Sequence, residues 1–166
     1  MMSTNNILSP AHGKPIINPT QDIVLGIYYL TLQRQFAKGT YSEKKRTGIY
    51  ASTGEVRRAF DADEVDLHAE IMCRVDGKRV LTTVGRLILR EIVPPELPFS
   101  LVNKVMRKGE LSALIDECYR RCGGKTTVIM ADRLRTMGFE YATRAGISVC
   151  IDDIKVPEDK PAILDK

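Results

Sequence analysis

Apolar residues recur at helical spacing along the second half of the chain. Residues 108–122 place them three and four positions apart over three turns, which predicts an amphipathic helix that Gly123–Gly124 then ends. A second helix is predicted from a cap at Thr126 or Thr127 to about Arg144. We expect both helices to pack on the core. The stripe that the second helix turns inward consists of Met130, Leu134, Met137 and Tyr141.

A different pattern marks residues 20–32, where apolar side chains cover nearly every face. Pro19 stops any upstream structure and Thr20 offers a cap, so the pattern predicts a helix that is buried on all sides or belongs inside a larger assembly. Gly26 lies in the middle, where glycine costs roughly 1 kcal/mol relative to alanine. We therefore expect another backbone to approach the helix closely at Gly26.

The middle of the chain alternates apolar and polar residues with a period of two. Residues 67–75 predict a half-buried strand by this alternation. Asp76–Gly77 is a strong hairpin signal, and residues 78–84 predict the returning strand.

Two further signals complete the predicted fold. Ser52 or Thr53 offers a cap, with Glu55 near the first turn, for a short helix that ends at about Phe60. A last apolar run after the hairpin continues the core until Pro94–Pro95 ends it. Together these elements predict the α+β class, with several helices packed on a small, mainly antiparallel sheet.

Composition changes this picture little. The length of 166 residues predicts one domain, and a hydrophobic content of 43% is enough for a core. From Val156 the composition turns to Pro, Glu, Asp and Lys, so we expect the domain over residues 1–156 and a poorly ordered tail over residues 157–166. The net charge of +4 is compatible with a nucleic-acid partner but is also common on ordinary surfaces. The sequence contains no signal peptide and no apolar run of membrane length, so a cytoplasmic location without membrane contact is expected.

The four cysteines do not follow a metal-binding pattern. Cys118 and Cys122 lie four positions apart on a predicted helix, Cys73 and Cys150 are remote in sequence, and no C-x-x-C pair occurs. We therefore expect reduced, buried thiols and no zinc site.

The stretch from Met2 to Gly26 is irregular in structure but particular in sequence. It carries the polar pair Asn5–Asn6, then several turn-forming residues, and then Gln21 at the start of the apolar helix. It resembles one segment of the largest subunit of multisubunit RNA polymerases, the bacterial β′ chain. In that family the pattern is close to STNNILSP-x-x-G-x-PI-x-x-P-x-QD-x-x-LG.

Later runs resemble the same family in the same order. TTVGR ends at Arg86, LPFSLVN begins at Leu97, and YATRAGISVCIDD ends at Asp153, with Cys150 where glycine is usual. The resemblance covers about residues 2–157.

The resemblance implies the pore domain of that subunit, which flanks the active centre and borders the secondary channel. Substrate nucleotides are thought to enter there, and backtracked RNA to leave. It makes Asn5, Asn6 and Gln21 the groups expected to face nucleotide or RNA, because amides bond phosphate, ribose or base without adding charge. Turn capping and hydrogen bonding at a helix start are the alternatives. Arg86 and Arg144 are further candidates, with ion pairs as the alternative.

The resemblance also implies a parent enzyme, the nucleotidyltransferase DNA-directed RNA polymerase. Its chemistry needs Mg²⁺ held by a carboxylate cluster, which in the family is an NADFDGD motif just upstream of STNNILSP. That motif is absent from this sequence. We therefore expect no catalytic residue, metal ligand or cofactor here, and no polymerisation by this chain alone. The implied partners are the rest of β′, the β, α and ω subunits, template DNA and RNA.

A second stripe on the last predicted helix contains Lys125, Ile129 and Asp132. In some proteobacterial relatives the matching surface helps to hold a guanosine tetraphosphate regulator. The resemblance thus implies a regulator-nucleotide surface, although Thr136 stands where those relatives have an aromatic residue. A partly solvated helix face is the alternative.

Three points stay open. Tyr41–Thr47, with the basic run Lys44–Arg46, replaces a short KGEGM-like connection of most bacterial relatives, and a solvated loop tip is expected. The rival to a β′ fragment is a stand-alone cytoplasmic α+β module that binds nucleic acid or protein. A third option is a small metal-dependent enzyme that uses Asp152 and Asp153, but neighbours on a β-prone run point to opposite faces, which favours a structural or capping role.

Overall fold

The computed structural model describes residues 7–11, 13, 15–44, 46–155 and 160. Within them lie four α-helices and one three-stranded sheet, so the predicted α+β class is confirmed. The helices are α1 (Gln21–Thr31), α2 (Thr53–Asp61), α3 (Val84–Ile92) and α4 (Lys108–Ala145). The strands are β1 (Ile49–Tyr50), β2 (Glu70–Val75) and β3 (Lys78–Thr83), and short 3-10 turns occur at Phe99–Leu101 and Ile151–Asp153.

The sheet is built around the predicted hairpin. β2 and β3 pair antiparallel from Glu70↔Thr83 to Val75↔Lys78, and Asp76–Gly77 form the turn with φ values of 50° and 81°. β1 adds a short parallel strand on the other edge of β2, which the sequence did not indicate.

The strand ends differ from the prediction for identifiable reasons. The first strand begins at Glu70 instead of residue 67, because the preceding residues form turns in which the Ala69 amide donates to the Asp66 carbonyl at 3.1 Å. The second strand ends at Thr83, whose hydroxyl accepts from the Arg86 amide at 3.4 Å and so caps α3.

Helix α4 is long but broken. At Gly123 the backbone takes φ 79° and ψ 174°, so residues 108–122 and 124–145 are two helical halves, as the glycine pair predicted. The expected caps Thr126 and Thr127 are wrong: the second half resumes directly after Gly123, and the Thr127 hydroxyl donates to the Gly123 carbonyl from inside the helix at 2.8 Å. Both halves turn apolar residues inward, among them Leu111, Leu114, Ile115, Met130, Leu134 and Tyr141.

Helix α1 crosses the second half of α4 and also contacts α3. A Cβ atom on Gly26 would overlap the Gly138 carbonyl oxygen, and one on Gly85 would overlap the Leu30 carbonyl oxygen. The expectation of close backbone approach at Gly26 is therefore confirmed. Ile27 and Leu30 are completely buried, whereas the faces that carry Val24 and Tyr29 are half-buried.

The β-prone run 146–153 does not form a strand. Gly146 ends α4 in the left-handed region at φ 57°, and the next residues extend into solvent without a partner strand among the described residues. Ile151–Asp153 close a 3-10 turn instead, because the Asp153 carboxylate accepts from the Cys150 amide at 3.0 Å. No helix in the described part of the chain is both long and apolar enough to cross a bilayer.

Candidate functional site

The N-terminal segment folds back on itself and packs against α4. Leu8 and Pro15 form an antiparallel bridge, and the Ile16 amide donates to the Ile7 carbonyl at 2.8 Å. Ile7 is buried, and its Cδ1 lies so near Gly124 that a Cβ there would be 2.9 Å away. The segment that carries the strongest sequence resemblance is thus seated where α4 breaks.

Two of the predicted nucleotide-facing residues, Asn5 and Asn6, lie outside the described residues. Their role stays a prediction. Turns hold the described segment that follows them. Asn18, for example, donates from its side-chain amide to the Pro15 carbonyl at 2.8 Å.

Gln21 is the first residue of α1 and is exposed. Its φ of 50° lies in the left-handed region, which is unusual for a residue that is not glycine. It borders a shallow groove of about 320 Å³ together with Tyr28, Arg107 and Lys108. The groove therefore combines one neutral amide, one phenol and two cations beside the start of α4.

Arg107 and Lys108 were not predicted as site residues. Arg107 immediately precedes α4 and Lys108 is its first residue, nearly ninety residues after Gln21. The tertiary fold, in which α4 packs on α1, brings them to the same groove. One of the backbone N–H groups at the start of α4 already has a hydrogen-bond partner, because the Glu110 carboxylate accepts from the Arg107 amide at 3.1 Å. The cationic side chains, more than the helix terminus, are thus available to an anionic group.

Arg86 lies apart from this groove and is half-buried. Its Nε donates to the Thr31 carbonyl at 3.2 Å and its Nη1 to Asn103 Oδ1 at 3.4 Å. Burial lowers the pKa of the Arg86 guanidinium, and the nearby Glu70 carboxylate acts in the opposite direction. Asn103 in turn donates to the Leu81 carbonyl at 3.0 Å, so Arg86 links the end of α1 to the hairpin. Contact between Arg86 and RNA stays a prediction.

Arg144 forms the ion pair that the sequence left open as an alternative. Its Nη2 lies 2.7 Å from the Glu140 carboxylate, and its guanidinium carbon lies 5.1 Å from the centre of the Tyr141 ring. The side chain remains 55% exposed, so these contacts do not remove it from solvent. Its role towards nucleic acid also stays a prediction.

Lys125, Ile129 and Asp132 share one exposed face of α4, as their spacing predicted. Asp132 pairs with Arg135 at 3.2 Å. Both residues line a cleft of about 380 Å³ between α4 and the N-terminal segment, where Ile17 and Pro19 form the facing wall. The predicted regulator-nucleotide surface thus borders a cleft, which is also lined by Arg135, a residue that was not predicted.

The acidic pair at the end of the described chain has a local role. The Asp153 carboxylate accepts from the Cys150 amide, and this bond holds the pKa of Asp153 below its usual range. Within the described residues, no three His, Cys, Asp or Glu side chains come together in a way that could hold a metal ion. The capping role expected for this pair is what Asp153 performs.

Comparison with known proteins bears on this geometry. The family model described as RNA polymerase Rpb1, domain 3, matches residues 6–154. The chain belongs to this family. It is also 57% identical, over all 166 residues, to the DNA-directed RNA polymerase subunit beta′ of Syntrophobacter fumaroxidans (strain DSM 10017 / MPOB). The match covers 100% of this chain and 12% of that curated relative, so the chain spans about an eighth of the relative's length.

The resemblance found in the sequence is therefore confirmed for the Rpb1 domain 3 family. The matched residues include the N-terminal segment from Asn6, the whole of α1 to α4, and the turn at Asp153. Every described residue of the Gln21 groove and of the Asp132 cleft lies inside this match.

Proposed function

We propose that this chain serves as the pore domain of the β′ subunit of DNA-directed RNA polymerase. In this role it lines the secondary channel beside the active centre, where nucleoside triphosphates enter and backtracked RNA leaves. The observation that carries the proposal is 57% identity to a β′ subunit over the whole chain. The parent assembly is a nucleotidyltransferase, and this chain contributes part of the channel wall and no catalytic groups.

The Gln21 groove suits a wall along which nucleotides pass. Arg107 and Lys108 attract a triphosphate or an RNA phosphate by charge, and the Gln21 amide and Tyr28 hydroxyl offer neutral hydrogen bonds. The groove is shallow and solvated, so each contact is weak. Weak contacts favour transit, because a tightly held nucleotide would block the channel.

The catalytic magnesium belongs to another part of the proposed parent, because the NADFDGD motif is absent from this sequence. The proposed partners are the rest of β′, the β, α and ω subunits, template DNA and the transcript. The exposed face of Lys125, Ile129 and Asp132 is proposed as a regulator-nucleotide surface, and the adjoining cleft of about 380 Å³ gives it depth.

The first test concerns the parent assembly. An antibody against this chain is used to probe native lysate of the source cells. The proposal expects a band far heavier than 18.6 kDa that co-migrates with RNA synthesis activity. A band near 18.6 kDa, separate from polymerase, would overturn it in favour of a stand-alone binding module.

The second test concerns the channel. A photo-crosslinking residue is placed at Gln21 in the assembled polymerase, and backtracked complexes carrying RNA labelled at its 3′ end are irradiated. Crosslinking to the RNA 3′ end is expected from Gln21, and none from the same group at Lys78, the first residue of β3. Equal labelling from both positions, or none from Gln21, contradicts the proposed lining.

A further inference from the structure

Phe36 is the most exposed large apolar residue of the described chain. Its side chain is 97% exposed, and its backbone takes φ 62° in the left-handed region. A bulky residue in this region is strained by about 1 kcal/mol or more, and strain of this kind tends to occur at functional positions. Burial in the core therefore does not explain why an aromatic residue occupies this position.

The loop that carries Phe36 is held on both sides by backbone hydrogen bonds. The Arg34 amide donates to the His68 carbonyl at 3.0 Å, and the Lys38 carbonyl accepts from Asp66 at 2.9 Å. Further along, Met72 donates to the Gly48 carbonyl at 2.8 Å. Phe36 thus projects from an anchored loop, so its ring is presented to solvent in a defined position.

The same loop concentrates the positive charge of the chain. Residues 33–47, which we name the basic loop, contain five Lys or Arg residues and one acidic residue, Glu43. Its net charge of +4 equals that of the entire chain, so the remaining residues are balanced. The ion pairs formed among the described residues involve none of Arg34, Lys44 or Arg46.

Phe36 and one cation of the basic loop, Arg34, border the same concave surface. Phe36, Ser42 and Thr47 line a hollow of about 790 Å³. The Ser42 and Thr47 backbones, which also line this hollow, bond each other at 3.1 and 3.3 Å and close a turn that contains Lys44 and Arg46. Amides and hydroxyls complete the lining, among them Gln33, Gln35 and Thr40.

We propose that the basic loop binds a single strand of nucleic acid, with one base stacked on Phe36 and adjacent phosphates on Arg34, Lys44 and Arg46. An exposed aromatic ring beside clustered cations is typical of proteins that bind single-stranded nucleic acid. Any base can stack on the ring, and the cations attract the phosphates. Hydrogen-bonding groups in the hollow suit ribose and base edges. Glu70 also lines the hollow, and its carboxylate favours the charged form of Arg86 and so raises the pKa of that guanidinium.

An acidic protein segment is the competing partner, and it accounts for less. Acidic side chains would explain the cations but would leave the strained, exposed ring of Phe36 without a role. The proposal concerns a surface separate from the Gln21 groove and does not depend on the pore-lining role.

The test measures binding of the 166-residue chain to a fluorescein-labelled oligouridine of ten nucleotides by anisotropy. Phe36→Ala is expected to weaken binding at least about fivefold, whereas Phe36→Trp retains it, because stacking persists with any large ring. The matched control is Phe139→Ala, which removes a 48% exposed phenylalanine from α4 and should change nothing. Since Phe36 is almost fully exposed, its variants keep their fold, and circular dichroism verifies this.

The charge is tested by salt dependence. The slope of the logarithm of the binding constant against the logarithm of the salt concentration is negative. The double variant Lys44→Ala, Arg46→Ala should make this slope less negative by about 1.4, whereas Lys78→Ala, Arg79→Ala on the hairpin should leave it unchanged. The proposal is overturned if Phe36→Ala binds like the parent chain, if both double variants act alike, or if polyglutamate competes as well as unlabelled oligouridine.

Discussion

Gly26 on α1 and Gly138 on α4 meet backbone to backbone. A Cβ atom on Gly26 would overlap the Gly138 carbonyl oxygen and lie 2.8 Å from the Ala142 amide nitrogen. In the reverse direction, a Cβ on Gly138 would lie 2.8 Å from the Ile23 Cα. Neither neighbour is the flexible end of a side chain, so the two helices could accept a methyl group only by moving apart.

Replacing Gly26 or Gly138 by alanine should therefore destabilise the chain. We expect each substitution to lower the free energy of unfolding by about 1–3 kcal/mol or more, since overpacking forces the helix axes apart. The measurement is urea unfolding followed by circular dichroism.

The matched control for this pair is Gly54→Ala in α2, where a Cβ meets nothing within 4 Å. It should stabilise by about 0.5–1 kcal/mol, because alanine favours helix. The same sign of change at Gly54 and Gly26 would contradict the close crossing.

Helix caps offer a second prediction. The Ser52 hydroxyl accepts from the Glu55 amide at 3.3 Å, whereas Thr20 occupies the cap position of α1 without a side-chain hydrogen bond. Ser52→Ala should cost about 1 kcal/mol of unfolding free energy, and Thr20→Ala distinctly less. Urea unfolding of the two variants side by side checks this, and an equal loss would mean that the Ser52 bond does not stabilise α2.

Two buried threonines should respond in opposite ways to replacement by valine. The Thr31 hydroxyl donates to the Ile27 carbonyl and accepts from the Met106 amide, both at 2.9 Å, so Thr31→Val leaves a buried donor unpaired and should cost about 1–3 kcal/mol. The Thr82 hydroxyl is buried without a partner among the described residues. Thr82→Val should be neutral or stabilising. Thermal unfolding of both variants measures the two changes in stability. A larger loss of stability for Thr82→Val than for Thr31→Val would refute the assigned hydrogen bonding.

The cysteines predict how stability depends on alkaline pH. Burial raises the pKa of the Cys118 thiol, so the folded state keeps a proton that the unfolded state releases. Stability is complete below the pKa of the unfolded thiol and falls as pH rises through the folded value. Urea unfolding from neutral pH to about pH 10 should show this fall.

Cysteine variants separate this effect from other titrations. Cys118→Ala should make the alkaline fall in stability less steep. Part of the fall should remain, because burial also raises the pKa of Cys73, Tyr50 and Tyr141. The exposed Cys150 provides the control, because Cys150→Ala should keep the full slope. Iodoacetamide should label Cys150 in the folded chain and spare Cys118, and the reverse order would disprove the assigned burial.

Local signals in the sequence were sufficient for several elements. Asp76–Gly77 predicted the hairpin because the turn depends on those two residues alone, and Gly123 predicted the break in α4 for the same reason. Gly26 predicted a close approach, but not its partner, since nothing near Gly26 in sequence identifies Gly138. β1 was missed because a strand of two residues has no period.

The errors share a physical cause. The β-prone run of residues 146–153 would form a strand only if another strand lay beside it, and pairing is a property of the fold. The same holds for the Gln21 groove, where Gln21 was predicted from its motif. Arg107 and Lys108 joined it through helix packing that no local pattern contains.

The crossing of α1 and α4 also bears on how the chain folds during synthesis. α1 leaves the ribosome about 110 residues before Gly138, the residue that receives it, is translated. Until then the apolar surface of α1 has no α4 to cover it, and local segments such as the hairpin form first. A nascent chain halted before α4 therefore displays α1 to chaperones, and its release from them awaits translation of α4.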